Sequence, residues 1–251
     1  MLRFFRHIRK NLMEQNKTRT YLLYAVGEIA LVMIGILLAL QVNNWNQLQQ
    51  LKEQEKEVIS ALYEEIDTNA TILGLCMEDI NQRIAVIDTM QNYAGPTYAN
   101  LPDNTLHRWL GAVGNIERCA VETDAIDELR SSGNLNLISN RSLRRGLSKW
   151  NTAIMTMKSE EADWSQEFSS ILVPYLNKWV LWGDVDYLFF KDDSNFSPSA
   201  FEIDENLMLQ EYQFDNHLNN TRWRWARIRD RTDSLSVIGD SLYITLKKEL
   251  N

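Results

Sequence analysis

Twenty consecutive residues, Tyr21 to Leu40, read YLLYAVGEIALVMIGILLAL and contain one ionisable side chain, Glu28. At 1.5 Å rise per residue such a run makes a helix of about 30 Å, the thickness of a bilayer's hydrocarbon core. A secretory leader would have a shorter apolar core and a small-residue cleavage site. Ala39 is small, but Gln41, Asn43, Asn44 and Trp45 follow it without an A-x-A pattern, so the segment reads as an uncleaved anchor. Arg3, Arg6, Arg9, Lys10, Lys17 and Arg19 against Glu14 give residues 1–20 a net charge of +5. The opposite flank alternates Lys52 and Lys56 with Glu53, Glu55 and Glu57, which places the N-terminus in the cytoplasm by the positive-inside rule. Tyr21, Tyr24, Asn43, Asn44 and Trp45 then fall near the two membrane interfaces.

Three segments follow: a basic tail over 1–20, a spanning helix over 21–45 and a domain over 46–251. In the tail, Leu2, Phe5, Ile8 and Leu12 share one helical face, as in a basic amphipathic helix on anionic lipid; a flexible tail that only sets topology is the alternative. The whole chain carries -8, which leaves 46–251 at -12. So acidic a domain repels nucleic acid, which excludes the electrostatic attraction that non-specific DNA or RNA binding requires.

The fold class expected is all-α. Leu48, Leu51, Val58, Leu62, Ile66, Leu73, Ile80, Ile84 and Ile87 recur at spacings of three, four or seven, with no proline before Pro96. The spanning helix should therefore continue as a long stalk to about Tyr93 and lead into a helical bundle. With neither Gly nor Pro from Ile36 to Leu73, a rigid helix would couple membrane and domain; Gly74 is its weak point, and a flexible joint at Asn43 and Asn44 is the alternative. Further helices are predicted from Thr105 to Val113 and from Thr123 to Ser132, the latter capped by Thr123 and ended by Gly133. Ser139 or Asn140 should cap a long helix running toward Trp182, kinked or divided at Pro174. Residues 183–204 read as irregular, followed by a short helix over Glu205–Phe214 and a last one over His217–Lys248.

Glu28 is the most informative residue, because a carboxylate a third of the way across a bilayer costs roughly 2.5–3.5 kcal/mol on insertion scales and calls for a partner. Gly27 precedes it, and Gly35 and Ala39 continue its face as a small-xxx-small contact. Three readings are open: a seam for homo-oligomers, a snorkelling side chain that only tunes insertion, or an ion-carrying carboxylate in an ion-conducting or ion-driven complex. Cys76 and Cys119 both lie in the exported part and could bridge or remain two buried thiols. His7, His107 and His217 are scattered without ligand spacing, so no metal site is indicated. Without a phosphate loop, nucleophile elbow or C-x-x-C pattern, catalytic residues and cofactors are not indicated either; a periplasmic hydrolase assembled from distant helices is the remote reading. Asp184, Asp186, Asp192 and Asp193 fail calcium-loop spacing and read as a solvated loop. Trp179, Trp182, Tyr187, Phe189 and Phe190, with Trp223 and Trp225, read mainly as core, otherwise as an interface. TRWRWARIRDR, Thr221 to Arg231, reads as a cation-π and salt-bridged helix face.

The run KTRTYLLYAVGEIALVMIGILLALQVNNWN, Lys17 to Asn46, resembles the N-terminal signature of a membrane-anchored family of unknown function that is abundant in Bacteroidota. ELRSSGNLNLISNRSLRRGLSKW, Glu128 to Trp150, resembles its second motif, with a turn at Ser132, Gly133, Asn134 and Leu135. The resemblance implies a Gram-negative inner membrane and a periplasmic domain, and it implies no activity. The function expected is a self-associating, non-enzymatic inner-membrane protein, in contact with lipid, whose periplasmic domain binds or senses an envelope component, such as a partner protein.

Overall fold

The computed structural model describes residues 18–102, 104–114, 119–190, 193 and 195–250, with side chains from Leu22 onward. All regular structure among them is helical. The elements are α1 (Thr18–Tyr93), α2 (Thr105–Gly114), α3 (Asp124–Ser131), α4 (Arg141–Glu167), α5 (Val173–Leu176), α6 (Trp182–Phe190) and α7 (Tyr212–Leu250). Two 3-10 turns, Asn134–Leu137 and Glu205–Gln210, and a π turn, Phe168–Leu172, lie between them. The amphipathic tail expected over 2–13, with His7, lies outside the described residues, as do Asp192 and the side chain of Tyr21.

The chain divides into two compact units, Met1–Lys56 and Glu57–Asn251. In the first unit, one helix is long and apolar enough to cross a membrane: its best stretch has a mean hydropathy of 2.4 and none of it is buried by protein. α1 is assigned as one helix, without a break at Asn43, Asn44 or Gly74. Among the described residues, the apolar stripe that starts at Leu48 is buried only from Ile59 on. Leu48 and Leu51, the first apolar positions of that repeat, are exposed.

The second unit is built from three heptad stripes. On α1 the buried positions Ile59, Leu62, Ile66, Leu73, Ile80 and Ile87 keep a three-four spacing. Leu143, Leu147, Trp150, Ile154, Met157 and Trp164 do so on α4, and Leu218, Trp225, Ile228, Leu235, Leu242 and Leu246 on α7. A 3.5-residue apolar period puts each stripe on one face of its helix, as knobs-into-holes packing requires. α4 and α7 close on each other through glycines used reciprocally. A Cβ at Gly146 would meet Leu242 Cδ2 at 2.7 Å, and one at Gly239 would meet the Trp150 ring at 2.9 Å.

Local chemistry sets the boundaries. Asn140 caps α4, its Oδ1 accepting from the Ser142 and Leu143 amides at 2.8 and 3.1 Å. Thr123 occupies the cap of α3 without a side-chain bond. α4 does divide before Pro174: the proline has no N–H for the helical ladder, and a π turn takes up the register, with Val173 N donating to Phe168 O. Two boundaries depart from expectation. The first part of 183–204, a stretch expected to be irregular because it is rich in Asp, Ser and Asn and contains Pro198, is helical as α6, where it packs on α2. The short helix over Glu205–Phe214 is a 3-10 turn ending at Gln210, and α7 starts at Tyr212, five residues before His217.

Candidate functional site

In the apolar unit Leu31, Val32, Leu37 and Leu38 are exposed, while Glu28 is half-buried and in contact. Gly27 and Gly35 have open space where a Cβ would sit, Ala39, Asn43 and Asn44 are exposed, and Tyr24 and Trp45 are 44% and 62% exposed. The seam residues are therefore accessible, as a helix-helix contact needs.

In the second unit, α1's stripe is interrupted every seventh residue by a non-apolar group, at Asn69, Cys76 and Arg83. Asn69 and Cys76 reach residues 119–122, just before α3, and Arg83 reaches the last turn of α2. Asn69, fully buried, brackets the Glu122 peptide, Nδ2 donating to its carbonyl at 2.9 Å and Oδ1 accepting from its amide at 2.8 Å. Cys76 is bonded to Cys119, with Cα atoms 5.8 Å apart. Arg83, 4% exposed, donates from Nη1 to the Ala112 carbonyl at 2.6 Å, pairs with Asp79 at 2.6 Å and lies 4.9 Å from the Trp225 ring. Glu65 adds a fourth tie, its Oε2 accepting from Ala125 N at 2.5 Å, and burial holds its pKa above the ordinary carboxylate value. Successive heptads of α1 thus hold Glu122, Cys119 and Ala112, in the reverse of chain order.

Two clefts flank the contact of α2 with α6. The polar one, about 420 Å³, is lined by Leu101, His107, Asp184, Phe201, Asp204 and Glu205 among others. Asn104 starts α2 from a left-handed backbone, φ 61°, and its Oδ1 lies 3.4 Å from His107 Nδ1. His107 Nε2 bonds to Glu205 Oε1, both side chains being about nine-tenths buried. That bond raises the His107 pKa above its ordinary 6.5 against the opposing effect of burial, with the charges of Glu205 and Asp184 assisting. Asp204 caps the 3-10 turn, accepting from Asn206 N at 3.1 Å and from Tyr98 OH at the same distance. Asp184 accepts from Ser199 N at 2.6 Å. A histidine held against a carboxylate in such a cleft can move a proton or bind a polar ligand. His107 and Glu205 are 98 residues apart, and no local motif marks them.

The apolar cleft, about 640 Å³, lies along α2 and α6. The rings of Phe189 and Phe168 sit where Cβ atoms of Gly111 and Gly114 would be, at 2.3 and 2.9 Å, so bare helix backbone forms part of the wall. Trp182 is fixed by donating from Nε1 to Asn177 Oδ1 at 2.6 Å.

The other candidates are placed as follows. His217 lies 4.6 Å from the Tyr175 ring, away from His107's cleft, and burial lowers its pKa. Gly133, φ 72°, ends α3, with Ser132 N bonded to Glu128 O, Asn134 opening the 3-10 turn and Leu135 packed on the core. Among the described residues no group could hold a metal ion. Of the aromatics assigned to the core, Trp225 is buried and Trp179 and Trp182 are partly so. Tyr187, Phe189, Phe190 and Trp223 are exposed by 40–53%. Arg224 and Arg227 lie 5.2 and 4.9 Å from the Trp223 ring and pair with Glu167 and Glu160, the cation-π and salt-bridged face expected. Comparison of the chain with protein-family models, curated proteins and solved structures finds no match. The family resemblance therefore rests on its two motifs alone.

Proposed function

We propose that the chain is a self-associating, single-pass protein of a bacterial inner membrane, with its N-terminus in the cytoplasm and its helical domain in the periplasm. There the domain binds or senses an envelope component. The observation that carries this reading is the apolar helix, unburied over its best stretch, with a carboxylate at Glu28 and the small residues Gly35 and Ala39 along one face. A carboxylate at that depth is stabilised when a second helix supplies a partner, and small residues let backbones approach. The polar and apolar clefts are the domain's binding surfaces. Crosslinking in native membranes is expected to give a ladder of oligomers, weakened by Gly35→Leu. A strictly monomeric chain in membranes and in several mild detergents overturns self-association.

A second reading, a hydrolase, is favoured by one observation, the His107–Glu205 pair in a polar cleft. It predicts turnover of an ester, amide or phosphoester that His107→Ala abolishes. Equal turnover by the parent and His107→Ala removes its basis.

A further inference from the structure

The cleft between α2 and α6 has the makings of a ligand site rather than a packing flaw. Its volume of about 640 Å³ lies within the range of small-molecule sites, and its walls are apolar and aromatic with few polar groups. Some of those walls face solvent: Phe189 and Phe190 keep 52% and 53% of their surfaces exposed. Large apolar side chains left in water at the mouth of a cleft mark a surface that is covered in use.

Size and charge define the occupant. A buried cavity of about 150 Å³ holds one benzene ring, so this cleft has room for roughly four such volumes, enough for one long acyl chain. Every methylene taken out of water adds to the affinity, which favours a long unbranched chain over a small polar solute. At the lining stands the carboxylate of Asp186, the one charged side chain among its described residues. A carboxylate beside an apolar chain site favours an ammonium end and disfavours an anionic one.

We propose that this cleft binds one acyl chain of an amine-headed membrane lipid, with the ammonium group toward Asp186. The inference rests on the membrane reading above but not on self-association, which the crosslinking experiment tests separately.

The test uses the full chain in amphipol and phosphatidylethanolamine carrying a fluorophore on one acyl chain. Saturable binding of one lipid per chain is expected, with unlabelled phosphatidylglycerol of the same chains at least about tenfold weaker as a competitor. Asp186→Asn should bring the two lipids within about twofold, and Val185→Trp, which fills the cleft, should weaken binding at least about tenfold. Because Val185 is buried and its replacement could unfold the domain, the half-buried Asp186→Asn decides the question alone if Val185→Trp loses its native circular dichroism. Absence of saturable binding, an unchanged lipid preference in Asp186→Asn, or unchanged affinity in a folded Val185→Trp overturns the proposal. Displacement of the probe by hexadecylamine at about tenfold lower concentration than by the lipid assigns the cleft to a free alkylamine and overturns it as well.

Discussion

Replacing Arg83 with methionine tests the heptad fastening of α1 most directly. Methionine retains much of the apolar stem and removes the guanidinium, which donates to Ala112 O at 2.6 Å and stacks 4.9 Å from Trp225. A hydrogen bond from a charged donor contributes about 1.5–3 kcal/mol, and a desolvated cation-π contact about 2 kcal/mol. The Asp79 partner is 41% exposed, so screening by water limits that ion pair to under about 1 kcal/mol. Removing a buried charge returns part of the total through avoided desolvation, leaving a net loss of about 2–4 kcal/mol. For a domain of about 200 residues, each kcal/mol moves the midpoint by about 2–4 °C, so Tm should fall by roughly 4–16 °C. The assay is thermal circular dichroism of the full chain in mild detergent, with Arg231→Met as the control, since Arg231 is 45% exposed and only 3.7 Å from Glu160. A fall of less than about 2 °C, or one equal to the control's, refutes the assignment of Arg83 as a structural pin.

His107→Gln should flatten the dependence of stability on pH. Glu205 raises the His107 pKa, so the protonated pair stabilises fully below pH 6.5 and is lost as pH climbs through the raised value. Melting curves between about pH 5.5 and about pH 8.5 should show the parent's advantage over the variant shrinking upward, and a constant difference counts against the pair. Removing the Cys76–Cys119 bond with a double serine substitution frees a loop of 43 residues and should cost about 2–4 kcal/mol in urea unfolding; an unchanged midpoint contradicts it. Gly239→Ala presses a methyl onto the rigid Trp150 ring and should destabilise by about 1–3 kcal/mol, whereas Gly146→Ala meets only the movable end of Leu242 and should lie within about 1 kcal/mol of the parent.

The long helices could be read from the sequence because their determinants are local. The span from Ile36 to Leu73 has no helix breaker, and the three-four spacing from Leu62 to Ile87 marks the face that is buried. Asn140 announced a cap because an amide oxygen at that position answers orphan helix amides. The sites depend instead on pairs brought together by the fold. Asn69 and Arg83 look like breaks in an apolar stripe until Glu122 and Ala112 are laid beside them. α6 was obscured by Asp184, Asp186 and Gly183, residues poor at forming helix, and packing of Phe189 on Gly111 overrides that preference. Composition could not separate buried Trp225 from exposed Trp223, two positions apart, because which faces inward is fixed by the phase of α7's stripe.

The Tyr63 hydroxyl donates to that of Tyr243 at 2.8 Å, across 180 residues of sequence, with the rings 5.0 Å apart. Such a contact imposes an order of events on a growing chain. The apolar stripe of α1 is made early and has to wait, wet and sticky, until the last helix is synthesised. Local helices can form within about a microsecond, but closure of this core pays the loop entropy of nearly the whole domain and sets the pace. During that interval Ile59 to Met90 is a target for wrong partners, including the same stretch of a neighbouring nascent chain. Conditions that slow the delivery of α7 should therefore raise aggregation without altering the stability of the finished fold.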